Sequence, residues 1–167
     1  MGRTRFNDQN CGVAQSLDAF GDWWSLLIIR DAFFGFRRFA DFQRHLGIAR
    51  NVLTQRLRHL VEHEILERVD VGRHGERYEY RLTAKGDALL PVLTTLREWG
   101  DEWVFGEGRE PLVMRDRHSG QRVPKTVVRD ADGQALARRE IRAEPGPGAD
   151  ETIRRIFDRP SRAGGRS

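Results

Sequence analysis

Thiols are nearly absent from this chain: of its 167 residues only Cys11 carries one. A single cysteine excludes a disulfide within the chain and any zinc site built from several thiolates. Long apolar runs are missing too. No stretch approaches the ~18 residues of a membrane helix, and the opening "MGRTRFNDQNCGVAQ" lacks the apolar centre of a secretory leader. A reducing bacterial cytoplasm is therefore the expected compartment. Lysine is scarce, with 2 Lys against 27 Arg, a bias that fits GC-rich coding better than any chemistry. There is no phosphate-binding glycine loop, no HExxH spacing and no nucleophile beside a base, and the five His are scattered. No enzymatic activity, cofactor or metal is expected from such a set.

Excess positive charge is also missing from most of the chain. The formal net charge is +4, yet residues 1–108 hold 15 basic and 16 acidic side chains, whereas residues 109–167 hold 14 and 9. The high isoelectric point belongs to the C-terminal part and by itself says little about nucleic acid. Local distribution says more. Arg30, Arg37, Arg38, Arg44, Arg50, Arg56 and Arg58 are accompanied in their segment only by Asp31 and Asp41.

That segment is helical by its periodicity. Val13, Leu17 and Phe20 share one helical face ahead of Gly21. Asp22 is placed to cap "WWSLLIIRDAFFG", which is apolar almost all round, ends at Gly35 and belongs at the centre of a core. "RRFADFQRHLG" follows with Phe39, Phe42 and Leu46 on one stripe and Gly47 as its stop. In "LGIARNVLTQRLRHLVEHEILERV" the apolar Leu53, Leu57, Leu60 and Val61 gather on one side, while Asn51, Gln55, Arg58 and Glu62 point away. Arg50 and Thr54 flank its start, and Ala49 offers no capping oxygen. From Glu67 the period drops to two: "ERVDV" and "RYEYRL" are joined by "GRHGE", a hairpin with a basic tip. Thr83 then caps one long helix, "AKGDALLPVLTTLREWGDEWVF", carrying Leu89, Leu93, Leu96, Trp99 and Trp103 along one side and kinked at Pro91.

Three helices, a short turn and a hairpin directly after the third helix predict a mainly α fold with a small β-hairpin, a winged helix-turn-helix. A recognition helix must bury one face and offer polar groups to a major groove ~12 Å wide. Arg50, Asn51, Thr54, Gln55 and Arg58 are the expected groove contacts, because Arg pairs with guanine edges and Asn or Gln with adenine edges. Arg37 and Arg38, at the start of the preceding helix, are expected on phosphates, and Arg73, His74 and Arg77 of the wing on the neighbouring backbone or minor groove. A second reading stays open at this point, since winged helices also serve as protein-interaction modules and a polar helix face is usually just solvated.

The words "CGVAQSLDAFGDWWSLLIIRD", "RRFADFQRHLGIARNVLTQRLRHLVEHEILERV", "YEYRLTAKG" and "LPVLTTLREWG" cover most of residues 11–104. In them the chain resembles the HxlR family of bacterial transcriptional regulators, relatives of the MarR winged helices. Gly12 stands where that family usually has proline, and Trp23 where a polar residue is common. The resemblance implies a DNA-binding homodimer, most often a repressor. Its interface would be the first helix and the helix after the wing, here Val13, Leu17, Leu89, Leu93, Leu96, Trp99 and Trp103. An apolar stripe ending in two tryptophans fits that expectation; packing within one subunit is the alternative. A two-fold dimer would bind an inverted repeat with half-sites about 34 Å apart.

Some members of the family sense oxidants or electrophiles through a cysteine near the N-terminus, and Cys11 matches that position. A thiol at a helix start is activated by the dipole, but a small buried hydrophobe is the plainer reading of Cys11. Domain boundaries are expected at 1–10 for an N-terminal arm, 11–108 for the DNA-binding and dimerisation domain, 109–158 for a small β-rich extension and 159–167 for a disordered tail. Within the extension "HSGQ" and "DADGQ" separate short β-like runs, and "ETIRRIF" reads as a short helix. Some family members with a similar extension carry a small zinc-knuckle-like unit with Cys-Gly pairs; Ser119-Gly120 and Asp132-Gly133 stand at the comparable places, so no metal is expected here.

Overall fold

Asp22 opens the central helix of the protein as its capping residue, accepting a hydrogen bond from the Ser25 amide at 3.1 Å. The computed structural model describes residues 9–72 and 77–158. The expectations placed on residues 1–8, on Arg73 and His74, and on residues 159–167 lie outside the described residues. Helices α1 (Gly12–Phe20), α2 (Trp23–Phe33), α3 (Phe39–Leu46) and α4 (Arg50–Glu62) come first, then strands β1 (Leu66–Asp70) and β2 (Tyr78–Leu82). After them come α5 (Ala84–Asp87), α6 (Leu90–Gly100), a π-helical turn (Asp101–Phe105), a 3-10 turn (Arg138–Glu140) and α7 (Glu151–Phe157). None of the described helices is long and apolar enough to cross a membrane.

The chain forms two units, one of Ala19–Thr126 and one of Met1–Asp18 with Val127–Ser167. In the first, Ile28 and Ile29 of α2, Phe42 of α3, Ile48, and Leu53, Leu57 and Leu60 of α4 make one buried cluster with Ile65 and Leu66 at the start of β1. Each such side chain contributes roughly 1.5–3 kcal/mol when fully buried. Gly47 ends α3 with φ 62°, the left-handed turn that a side chain resists, and so swings the chain from α3 into α4. The other end of α4 closes without glycine. Glu64 takes φ 57°, its amide reaching Val61 O at 3.0 Å and the Ile65 amide reaching Leu60 O at 2.9 Å, so the helix turns straight into β1.

The two strands pair antiparallel, from Leu66 opposite Leu82 at the base to Asp70 opposite Tyr78. Tyr80 N also donates to Arg37 O at 2.8 Å, which ties the wing to the chain just ahead of α3. Beyond β2 the structure corrects the sequence reading. The single kinked helix expected from Ala84 onward is two helices, broken at Ala88 and Leu89, and Pro91 sits in the first turn of α6 instead of in the middle of a longer helix. Proline fits there because a first-turn residue has no amide to contribute to the ladder. Leu89 and Leu93 then pack on the buried cluster. The first part of the extension returns to α6 and the π-turn: Lys125 Nζ lies 2.8 Å from Glu102, and the Thr126 amide donates to Glu98 at 3.0 Å.

Two aspartates shape the turns at the zinc-knuckle positions. Asp116 Oδ1 accepts from the His118 and Ser119 amides at 2.8 and 2.6 Å, ahead of Gly120 at φ 69°, and an isolated bridge pairs Arg115 with Arg122. The Ser119 amide, together with its hydroxyl and the His118 amide, holds the Asp116 carboxyl below its ordinary range. In the second unit Asp130 Oδ1 does the same for the amides of Asp132 and Gln134, with Gly133 at φ 83° and a bridge from Arg129 to Ala135. Carboxylate-to-amide hydrogen bonds hold both turns. Among the described residues no three His, Cys, Asp or Glu stand together as metal ligands.

Candidate nucleic-acid interface

Helix α4 is sorted by its own sequence into two faces. Leu53, Leu57 and Leu60 are fully buried, whereas Arg50, Asn51, Thr54, Gln55 and Arg58 are exposed. Ala49, the N-cap, makes no side-chain hydrogen bond to the first turn, so the leading amides of α4 keep their donors for another acceptor. The polar side chains differ in their commitments. Arg50 lies over the Phe39 ring at 5.2 Å. Thr54, also exposed, donates its hydroxyl to Arg50 O at 2.8 Å. Arg58 sits 3.5 Å from Glu62 one turn on, both exposed, a contact worth only ~0.3–0.5 kcal/mol and easily exchanged for a stronger one.

The flanking basic residues surround this face. Arg37 and Arg38 are exposed in the segment that leads into α3, with Arg38 Nε 4.0 Å from Glu79 of β2. At the wing, Arg77 is exposed, its carbonyl accepting from Val71 N at 2.6 Å and its amide donating to Asp70 at 3.3 Å. Eight of the ten residues expected on DNA, Arg37, Arg38, Arg50, Asn51, Thr54, Gln55, Arg58 and Arg77, are thus exposed. The other two, Arg73 and His74, lie outside the described residues.

Three residues that the sequence reading passed over hold the elements around this face together. Arg56, counted above with the positive segment, is turned inward: only 26% of its side chain is exposed, and Nε stands 3.1 Å from Asp22 Oδ1. Its spacing explains this, since it stands three residues after Leu53 and four before Leu60, on the buried face. Asp31, the only acid in α2, is fully buried; Oδ1 accepts from Arg30 Nε and Nη2 at 3.0 and 2.8 Å, and Oδ2 meets His45 Nδ1 of α3 at 2.6 Å. Gly86, in α5, is buried against the Ile65 carbonyl.

The apolar residues named for an interface are divided. Leu96, Trp99 and Trp103 are exposed, Trp103 to 70%, as are Val13 and Leu17 of α1; Leu89 and Leu93 are half-buried. Cys11 is exposed, which corrects its reading as a buried hydrophobe. It stands just ahead of α1, its carbonyl accepting from the Gln15 amide at 3.0 Å, where no core reaches it.

Comparison with known proteins agrees with this arrangement. The chain is 39% identical over 144 residues to the uncharacterized HTH-type transcriptional regulator Rv3095 of Mycobacterium tuberculosis, covering 86% of this chain and 90% of that protein. Among solved structures it is similar to PA1607, a protein assigned as a transcription factor, with 44% identity, a TM-score of 0.78, and coverage of 86% of this chain and 100% of that one. It is also similar to the redox regulator HypR in its reduced form, at 30% identity and a TM-score of 0.51, over 55% of this chain and 91% of that one. These relatives are regulators and not enzymes. The model of the HxlR-like helix-turn-helix matches residues 19–107, which hold the core, the polar face of α4 and the wing; the chain belongs to that family of transcriptional regulators.

Proposed function

We propose that this protein is a cytoplasmic, sequence-specific DNA-binding regulator that acts as a homodimeric repressor on an inverted-repeat operator. The observation that carries this reading is α4, whose leucines are buried while Arg50, Asn51, Thr54, Gln55 and Arg58 form one exposed row. In the proposed complex Asn51 and Gln55 read adenine edges, Arg50 and Arg58 read guanine or phosphate, and Thr54 offers its methyl to thymine. Arg37 and Arg38 fix the protein on phosphates, and the wing, with Arg73, His74 and Arg77, holds the adjacent backbone. Leu96, Trp99 and Trp103, with Val13 and Leu17, meet their counterparts in a second subunit. Exposed aromatics in such a row mark an interface in water.

Selection from random duplex DNA with purified protein at physiological salt tests this directly. The expected product is an inverted repeat whose half-sites lie one helical turn apart, bound by a species of twice the chain mass in sedimentation. Gln55→Ala is expected to weaken that site by ~1–3 kcal/mol and to relax the choice of base at one position per half-site. Recovery of no motif, or of a motif whose affinity Gln55→Ala leaves unchanged, would sink the reading.

Regulation is proposed to act through Cys11. Exposed ahead of α1, it is open to oxidation; HypR, a redox regulator, is a structural neighbour. Two Cys11 thiols from paired subunits would lose two hydrogens to an azodicarboxamide oxidant and form one disulfide. Oxidant is expected to change the operator affinity of the wild type at least tenfold, about 1.4 kcal/mol, and to leave Cys11→Ser untouched. Equal responses would remove Cys11 from any sensing role.

A further inference from the structure

The recognition helix is held on α2 by apolar contacts and by one ion pair. Leucine packing sets the rotation of α4 only to within the adjustment that side-chain rotamers allow, because apolar attraction is itself non-directional. A turn of about 20° about the axis of α4 carries a side-chain tip ~5 Å from that axis through roughly 2 Å. That distance breaks a two-point amide–adenine contact, which tolerates a few tenths of an ångström. A charge pair anchored at a fixed point adds a restraint on the rotation of α4 that packing alone leaves looser.

We infer that Asp22 and Arg56 are positioning residues for base readout, acting through the angle at which α4 presents Asn51 and Gln55; this rests on the DNA-reading function proposed above. Asp22 is itself rigid. Its carboxylate caps α2, accepting from both the amide and the hydroxyl of Ser25, so its place is fixed by the first turn of the central helix. Arg56 projects from the middle of α4, with both partners largely shielded, 26% and 22% exposed. The 3.1 Å approach of Nε to Oδ1 is off the axis of the N–H bond, so Nε, which is sealed from solvent, makes an ionic contact without an aligned hydrogen bond. Rotation of α4 draws this largely shielded guanidinium from Asp22, the one acid it pairs with among the described residues, and leaves its charge less compensated. Arg56 lies one position after Gln55 and five after Asn51, so a displacement at Arg56 is passed rigidly along the helix to both amides.

Asp22→Ser separates positioning from stability, because serine still caps α2 but carries no charge for Arg56. Arg56→Met removes the charge from the other side and keeps the apolar stem. Affinity of the full-length protein is measured by fluorescence anisotropy for the duplex recovered by selection and for a scrambled duplex of equal length at the same salt, with thermal midpoints taken in parallel. Each variant is expected to lose about tenfold in affinity for the selected duplex and nothing for the scrambled one. The double variant should be no worse than either single one, and Arg56→Lys should recover part of the loss. Equal losses on both duplexes, additive single effects, or a lowered thermal midpoint with unchanged discrimination would overturn the inference. Failure of the wild type to prefer any duplex would overturn the DNA-reading function first and this inference with it.

Discussion

Gly86→Ala is expected to destabilise the protein by about 3 kcal/mol, seen as a loss of about 9 °C in the thermal midpoint. A Cβ at position 86 would lie 2.2 Å from the Ile65 carbonyl oxygen and 2.9 Å from a Leu82 methyl. The methyl can turn aside; the carbonyl cannot. It belongs to the backbone between α4 and β1 and accepts the Thr83 amide at 3.2 Å. Thr83, for its part, caps α5 by accepting from Gly86 N at 3.1 Å and donates its hydroxyl to Glu64 O at 2.5 Å. More than an ångström of room is needed, and only a shift of α5 or of the base of the wing provides it. Gly100→Ala serves as the control, since a Cβ there meets nothing within 4 Å and φ is −64°. Alanine at that helical position should raise stability by ~0.5–1 kcal/mol. Chemical denaturation of both variants reads the contrast, and a Gly86→Ala protein as stable as the wild type would show that the approach of α5 to Ile65 is not tight.

Asp31→Ala is expected to cost about 2–3 kcal/mol, or roughly 6–9 °C. Removing one member of a fully buried ion pair costs up to ~3–5 kcal/mol when the other is stranded. Here the partners are half open, Arg30 to 37% and His45 to 45%, and each can turn partly to water, which lowers the figure. Asp31→Asn keeps the shape and an acceptor and should lose less than half as much. The network explains an acid that is otherwise misplaced: a carboxylate in the last turn of a helix opposes the dipole, and Asp31 stands there only because Arg30 and His45 compensate it. His45 is further fixed by stacking on Phe36, ring centres 4.7 Å apart. Equal thermal midpoints for wild type and Asp31→Ala would show that the buried carboxylate contributes nothing net.

Elements whose cause is local were legible in the sequence. Asp22 as a cap, Gly47 as a stop and the leucine stripe of α4 each depend on neighbours within four residues, and the alternation of "RYEYRL" sufficed for β2. The break between α5 and α6 was misread because "AKGDALLPVL" keeps an apolar period through the break; a first-turn proline fits a new helix as well as a kink fits a long one. Arg56 and Asp31 were hidden for another reason. Asp22 is 34 residues from Arg56, and His45 is 14 from Asp31, whose other partner is the adjacent Arg30; charge counted along a chain does not reveal which charges are turned inward. Gly86 was quoted inside a matching word, yet the atom that excludes a side chain there belongs to Ile65, on the far side of the wing.

The base of the wing is clamped from three sides. Leu66 faces Leu82 across the ladder, Thr83 binds the carbonyls of Glu64 and Ile65, and the Tyr80 amide is held by Arg37 O. Its far end, past Asp70 and Tyr78, has no such brace among the described residues. The base of the hairpin continues directly from the turn that ends α4. In the proposed complex a phosphate held at Arg77 acts through the paired strands on Leu66 and Ile65, which adjoin the helix that carries Asn51 and Gln55. Under the DNA-binding function proposed above, wing and α4 respond as one unit, so that a backbone contact at the first bears on the base contacts of the second.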